Sequence, residues 1–475
     1  MSFLRTVSPR PSAAAIDKAK SRLSQQLGLS KLITEPDGLL AYAGDESENT
    51  PVLPDLVVLA SSPEDIQHTL RIASEEGIFV TPRAGGSGKS GGAIPAGGGI
   101  VLATLGMNQI VDIDRDEHTA LVEPGLILGK LHDAVEELGL FYPPDANSLT
   151  YCALGGNVAE NAGGPRAFKY GTTRDYVLGL DVHLMGGESM FVGRRTKKGV
   201  TGYDVVGTLV GSEGTLAVTS RILLRLLPKP QSLMTLVATF DDAYACSRAV
   251  SEILRLKVVP RCIELLDRLA LEAARSEGID VDAKAGAMLL IELDGAEAAL
   301  LEEAERAGEG CTKAGARDVS VAQDGTQRDR LWAARRSMSH ATRRLAKYKV
   351  SEDVVVPRFK IGDLLATVDR IRERIGFKML TYGHAGDGNL HVNYLYDDLE
   401  QEPLLESGLE ELFREVVRLG GTLSGEHGIG LSKARFLPLE QPEPLIALQK
   451  RMKAAFDPQG LLNPGKIFAG SHRSC

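Results

Sequence analysis

The chain has 475 residues, 43% of them hydrophobic and 25% charged, which is ordinary for a globular protein and too long for one core, so two domains are expected. A net charge of −9 argues against a nucleic-acid surface or a generic anionic-membrane surface, and no run approaches the roughly 18 to 20 apolar residues that cross a bilayer. Five cysteines with no C-x-x-C spacing disfavour a zinc ribbon, an iron–sulfur cluster or a disulfide framework, and read as free thiols in a reducing cytoplasm.

Residues 1–15 carry two arginines and several serines without an apolar stretch, and read as a disordered arm, not a secretory signal. Residues 14–44 read as helical with a break near Gly28, and the prolines of 51–54 mark a boundary. A strand follows over 56–60. Ser62-Pro63-Glu64-Asp65 then starts a helix, with serine as N-cap and proline at N1. That helix runs to about Glu76, Gly77 stops it, and 78–82 is the next strand. Short strands and Gly/Pro turns continue to about Pro228, which predicts an α+β fold, not a repeating α/β sheet.

Pro228-Lys229-Pro230 reads as a linker. Beyond it, strands over 233–240, 259–265, 287–293 and 317–321 alternate with helices over 242–256, 266–276 and 296–314. This rhythm predicts helices on one face of a mainly antiparallel sheet. A helix over 326–346, the segment Val354-Val355-Val356-Pro357, a helix to about Gly376, and helices over 403–419 and 442–456 complete the reading. The domain boundaries are placed at 1–50 (arm and helices), 51–229 and 230–475.

Residues 82–95 are rich in glycine. Gly88-Lys89-Ser90 echoes a P-loop, but that motif needs glycine at position 83, where Arg83 stands. Gly86-Ser87-Gly88-Lys89-Ser90-Gly91 matches G-x-G-x-x-G, yet no helix opens after it. What remains is a strand ending in bare backbone amides, a nest suited to a pyrophosphate. Two further segments expose backbone, 155–164 and Gly211-Ser212-Glu213-Gly214-Thr215. Three such segments in one domain suit a long ligand lying across several loops.

Three of nine histidines fall in two glycine-rich stretches, Tyr382-Gly383-His384-Ala385-Gly386-Asp387-Gly388-Asn389-Leu390-His391 and Ser424-Gly425-Glu426-His427-Gly428. On one continuous strand His384 and His391, seven apart, would face opposite ways. Gly386-Asp387-Gly388-Asn389 is turn chemistry, so a reversal brings both imidazoles to one point, with His391 and Asn393 on one strand face. Two imidazoles and a carboxylate suit a divalent ion, and a third imidazole suits a base.

Pro82-Arg83-Ala84-Gly85-Gly86-Ser87-Gly88 and the other two glycine segments resemble the flavin-binding domain of the vanillyl-alcohol-oxidase type. The C-terminal motifs resemble FAD-linked D-2-hydroxyacid dehydrogenases: D-lactate dehydrogenase, D-2-hydroxyglutarate dehydrogenase and the glycolate oxidase catalytic subunit. The resemblance runs from about residue 50 to 468, ending on Leu462-Asn463-Pro464-Gly465-Lys466. It implies a two-part FAD-binding domain over 51–229, followed by an α+β substrate or cap domain with an antiparallel sheet over 230–475, which also carries a metal site and a C-terminal FAD-contacting segment.

The resemblance implies cofactor contacts at Pro82, Arg83, Ala84, Gly85, Gly86, Ser87, Gly88, Pro143, Asp145, Gly155, Gly156, Asn157, Asn161, Gly163, Gly171, Glu213, Gly214 and Asn463. Residues 82–95 hold neither histidine nor cysteine, so the FAD is expected to be non-covalent in this loop. His384, His391 and Glu426 are implied as ligands of one divalent metal (zinc, manganese or iron) and His427 as the base. Arg335 is implied as the clamp for a substrate carboxylate, with Ser339 one turn along the same helix and Asn393 as a further catalytic residue.

The implied reaction oxidises a D-2-hydroxy acid to the 2-oxo acid by metal-assisted deprotonation and hydride transfer to flavin N5. Lys347 and Lys349 lie out of register for a distal-carboxylate lysine, which favours D-lactate or glycolate over 2-hydroxyglutarate. A non-redox transferase of the alkylglycerone-phosphate synthase type is the other reading, and its histidine run is missing because Ala385 follows a single histidine. The expected partners are the small substrate and an outside electron acceptor: a quinone, a cytochrome or an electron-transfer protein, an iron–sulfur subunit among them. A homodimer is compatible with this reading. The expected location is cytoplasmic, with a membrane reached only peripherally through a partner.

Overall fold

The computed structural model describes residues 10–278 and 282–469. The first nine residues of the arm read over 1–15 lie outside them, and Ala13–Leu27 is already helix, with the Ser12 hydroxyl accepting from the Ala15 amide and Gly28 at its end. The stretch read as helical to residue 44 is broken further. Leu32–Ile33 pairs antiparallel with Val57 and Val58, leaving room only for the short helix Pro36–Leu40.

The chain forms two compact units. One comprises the chain up to Gly163, Thr172–Lys229 and the chain from Glu426 on; the other comprises Gly164–Gly171 and Pro230–Gly425. The C-terminal segment belongs to the first unit for a local reason. The Val80 amide donates to Leu461 O and the Asn463 amide donates to Val80 O, so the segment adds itself beside the strand that leads into the first glycine loop.

The first unit contains two larger sheets and a two-stranded pairing of Leu140–Phe141 with Leu227–Pro228. Strand Leu56–Leu59, helix Pro63–Glu76 and strand Val80–Arg83 follow the predicted order, with Ser62 capping the helix and Gly77 in the left-handed conformation at its end. Both strands run parallel to Ile100–Ala103, which lies between them. The second sheet is antiparallel, in the order Ile110–Asp114, Thr119–Val122, Val218–Arg225, Val177–His183, Ser189–Gly193.

The second unit is built on a seven-stranded antiparallel sheet. Its helices cover both faces, not the single face predicted. Helices Arg268–Ser276 and Gly325–Arg343 pack Leu271, Leu331, Ala334 and Met338 against Leu266, Met288, Leu380 and Leu395. On the opposite side, the Tyr394 hydroxyl donates to Gly408 O of helix Glu402–Arg418. The strands explain the difference: Asn389–Tyr396 is buried at every position, so both of its faces need cover. The helix predicted to 346 ends at Arg343, and Tyr348–Val355 is a full strand where only its last residues were read.

Asp267 joins the helix Arg268–Ser276 to the sheet, accepting from the Ala270 amide at 2.9 Å and the Thr381 amide at 2.5 Å. Burial outweighs these bonds and pushes its carboxyl up to about 7. A raised acid favours the folded state while protonated; that contribution is complete below the usual 3.8 and is lost as pH climbs through about 7. Asp267→Asn is therefore expected to gain melting temperature relative to the parent on going from about pH 5 to about pH 8.5. An equal difference at both pH values would show that this carboxyl does not titrate there.

Candidate active site

In the first unit the glycine segments come close to one another and to Asn463. Gly85 could carry no Cβ, which would lie 2.9 Å from Tyr151 O; at Gly155 a Cβ would stand 2.7 Å from Pro124 Cβ. Gly86 and Gly214 adopt left-handed conformations, and Gly214 faces Pro82. Asn463 ties the segments together, its Nδ2 donating to Gly92 O at 3.1 Å and to Glu213 O at 2.8 Å. Ser87 and Gly88 continue the first loop, and Gly88 O accepts from the Glu46 amide at 3.0 Å. Pro143 and Asp145 are buried beside the second segment, where the Asp145 amide donates to Gly163 O at 3.3 Å.

Several expected contact residues spend their side chains within the protein. Arg83, at the end of its strand and next to Ala84, donates to Gly44 O at 2.6 Å and lies over the Tyr42 ring; burial lowers its pKa. Asn161, left-handed at the end of helix Leu154–Glu160, accepts from the Thr172 hydroxyl and the Arg174 amide. Glu213, with φ of 53°, accepts from the Ile429 amide at 2.8 Å and the Gly430 amide at 2.7 Å. Burial raises the Glu213 pKa. Gly171 closes the segment Gly164–Gly171, which packs within the second unit through the bonds of Lys169 and Tyr170 to Asp294.

Lys466, which the sequence reading left without a role, is 2% exposed and donates to Ile94 O at 2.6 Å. Burial lowers its pKa to about 8. A cation on the glycine loop supports a phosphate-binding cradle.

In the second unit the predicted reversal is present. Strands Lys378–His384 and Asn389–Tyr396 form a hairpin in which His384 pairs with Asn389 and Tyr382 pairs with His391. Directly paired residues share a face, and residues two apart on a strand do as well, so His384 and His391 point the same way. Their rings lie 5.4 Å apart at 83°. The turn needs its glycines. At Gly388, with φ of 86°, a Cβ would sit 2.0 Å from Val356 O, and at Gly386 it would strike the ring of Phe168.

The same register brings in two carboxylates the sequence reading did not name. Glu264, on strand Cys262–Leu266, faces His384, and Asp353 faces His391. Glu264 is fully buried and accepts from His384 Nδ1 at 2.6 Å and from Arg335 Nε at 2.7 Å. Burial alone would raise its pKa, but Arg335 and His384 outweigh it and hold the carboxyl down at about 2. Asp353 accepts from the Ser424 hydroxyl at 3.0 Å and the Gly425 amide at 2.9 Å. It thereby fixes the residue to which Glu426 is bonded, and His427 follows directly in the chain.

His384, His391 and Glu426 each offer a ligand atom, and these atoms all lie within 4.8 Å of one another. Arg335 is 3% exposed and lies over the Tyr382 ring at 5.1 Å. Ser339 follows one turn later, and its carbonyl accepts from Lys349 Nζ at 3.0 Å. Asn393 is fully buried and donates to His391 O at 2.9 Å; its Oδ1 has no hydrogen-bond partner among the described residues.

Comparison with known proteins identifies the family. Residues 229–467 match the model of the FAD linked oxidases, C-terminal domain, and residues 54–193 match the FAD binding domain. The chain belongs to the FAD-linked oxidase family. It is 38% identical to glycolate oxidase subunit GlcD of Bacillus subtilis, over 96% of this chain and 97% of that one. It is 33% identical to D-lactate dehydrogenase of Anaerostipes hadrus, over 87% of this chain and 89% of that one. In fold it is similar to p-cresol methylhydroxylase, with a TM-score of 0.81 at 18% identity over 97% of this chain and 98% of that one. The architecture of this FAD-linked oxidase is thus of the vanillyl-alcohol-oxidase type. No helix among its described residues is long and apolar enough to cross a membrane.

FAD fits what the first unit offers: bare backbone at three segments and a buried Asn463 Oδ1 with no hydrogen-bond partner among the described residues. Gly156 provides a sharp check, because a Cβ there meets nothing within 4 Å. Gly156→Leu is expected to leave the fold intact and to lower bound flavin by roughly tenfold or more, because the side chain occupies cofactor space. Parent-like flavin content, read from absorbance of the purified protein, would remove Gly156 from the cradle.

Proposed function

We propose that this FAD-linked oxidase converts D-2-hydroxy acids, D-lactate or glycolate foremost, to 2-oxo acids. In this reading a divalent metal sits at His384, His391 and Glu426, and His427 acts as base. The observation that carries it is the convergence of those three ligand atoms within 4.8 Å. The buried Arg335 guanidinium on the helix packed over the same sheet face supports it. When bound, FAD supplies a two-electron acceptor, and zinc, manganese or iron supplies a Lewis acid that lowers the hydroxyl pKa of a chelating substrate.

The remaining work falls to the chain. Arg335 spends its Nε on Glu264, which leaves its other nitrogen edge for a substrate carboxylate. His427 accepts the substrate hydroxyl proton on a ring nitrogen, and Asn393 Oδ1 accepts a hydrogen bond from the substrate. The close packing of both imidazoles, each under a tenth exposed, keeps bulk water from competing. Lys349 Nζ is engaged by Ser339 O and Thr342 Oγ1, each at 3.0 Å, which supports a small substrate over one with a distal carboxylate.

Electrons leave to an acceptor outside the chain: a quinone, a cytochrome or an electron-transfer protein such as an iron–sulfur subunit. The naming of the Bacillus subtilis relative as a subunit supports a separate acceptor chain. The enzyme is assigned to the cytoplasm, with a membrane reached only through such a partner.

Anaerobic addition of D-lactate or glycolate is expected to bleach the flavin. L-lactate should not, and chelator should prevent bleaching until zinc or manganese is restored. Bleaching by the L-acid alone, or unaffected by chelator, would contradict the reading. His427→Ala is expected to retain FAD while slowing flavin reduction by roughly 10²- to 10⁴-fold; an undiminished rate would remove it as base.

A further inference from the structure

Glu264 is not part of the ligand-atom cluster and is 0% exposed, yet both of its oxygens are occupied by groups of the site. Oε1 lies 2.6 Å from His384 Nδ1, while Oε2 lies 2.7 Å from Arg335 Nε and 2.5 Å from Arg335 Nη2. An ionised carboxylate can only accept. His384 must therefore carry its proton on Nδ1 toward Glu264, which in the neutral ring places the lone pair on Nε2. The same carboxylate grips one edge of the guanidinium, whose plane is also held over the Tyr382 ring. A carboxylate on a strand has little freedom, and this one faces His384 directly across the ladder.

We infer that Glu264 is a positioning residue that sets, through its two oxygens, the ligating tautomer of His384 and the orientation of Arg335 together. The inference rests on the proposed metal and carboxylate sites and assigns the residue that relates one to the other. A merely structural ion pair would stabilise the fold without affecting metal affinity or the imidazole tautomer. A shared carboxylate affects both, because an amide in its place offers one acceptor oxygen and turns N–H groups toward a second donor.

The test compares the FAD-loaded parent with Glu264→Gln. Zinc affinity, measured by competition with a chelator, is expected to fall roughly 10- to 100-fold. KM for D-lactate or glycolate is expected to rise as well. Histidine-selective nitrogen NMR of the zinc-free proteins should show His384 as the Nδ1–H tautomer in the parent and a mixture in the variant. Parent-like zinc affinity, KM and tautomer in a variant that retains FAD would overturn the inference. Where Glu264→Gln fails to retain FAD, the pair Glu264→Gln with Arg335→Met removes the buried charges together; undiminished zinc affinity there also overturns it. A parent that binds none of zinc, manganese and iron would be recognised before any substitution, and would overturn the metal reading and this inference with it.

Discussion

Glu264 stands across the ladder from His384, and Asp353 stands across from His391 one rung along the same face. That pairing register governs the rest of the second unit's chemistry. A slip of one residue on the His391 strand would turn its imidazole to the opposite face and replace it with an apolar neighbour, Leu390 or Val392. The register is held by the hairpin turn, whose glycines admit backbone contacts that no side chain would allow, and by strands buried on both faces. The site thus depends less on any single ligand than on four antiparallel strands being in step.

Charge placed at such depth has to be balanced. Arg335 and Glu264 are 3% and 0% exposed, and removing one partner of a buried pair typically costs roughly 3–5 kcal/mol because the other is left uncompensated. Here the carboxylate is shared with an imidazole, so the group that balances Arg335 also directs His384. The loop carrying Glu426 and His427 is treated in a similar way. Asp353 holds residues 424 and 425 from within the second unit, and Glu213 holds residues 429 and 430 from within the first. Each end of the short peptide that carries the proposed ligand and base is thus bonded to a buried carboxylate of its own unit.

Much of this was legible because glycine and histidine are rare in combination unless backbone geometry demands it. Gly386-Asp387-Gly388-Asn389 announced the reversal that reconciles an odd spacing with a common face. Other features left no such mark. Glu264 lies in Cys-Ile-Glu-Leu-Leu, a strand like many others, and its histidine partner is 120 positions away. Only the end of the strand Tyr348–Val355 is legible in the sequence because Lys349, Glu352 and Asp353 are charged; their burial is decided by the neighbouring strand. Glu213 sits in a glycine segment that suggested a cofactor contact, and its carboxylate turned out to serve the backbone of a loop 216 positions on. Helices on both faces of the sheet went unread for a related reason, since alternation along a strand fully buried by both layers is invisible.

The measurement that tests the central claim most directly is anomalous X-ray scattering from crystals of the FAD-loaded protein grown with zinc or manganese. The account expects one peak bonded to His384 Nε2, His391 and a Glu426 oxygen at roughly 2.0–2.2 Å, with His384 Nδ1 still on Glu264. A peak elsewhere, or an ion bound through His384 Nδ1 with Glu264 displaced, would contradict it.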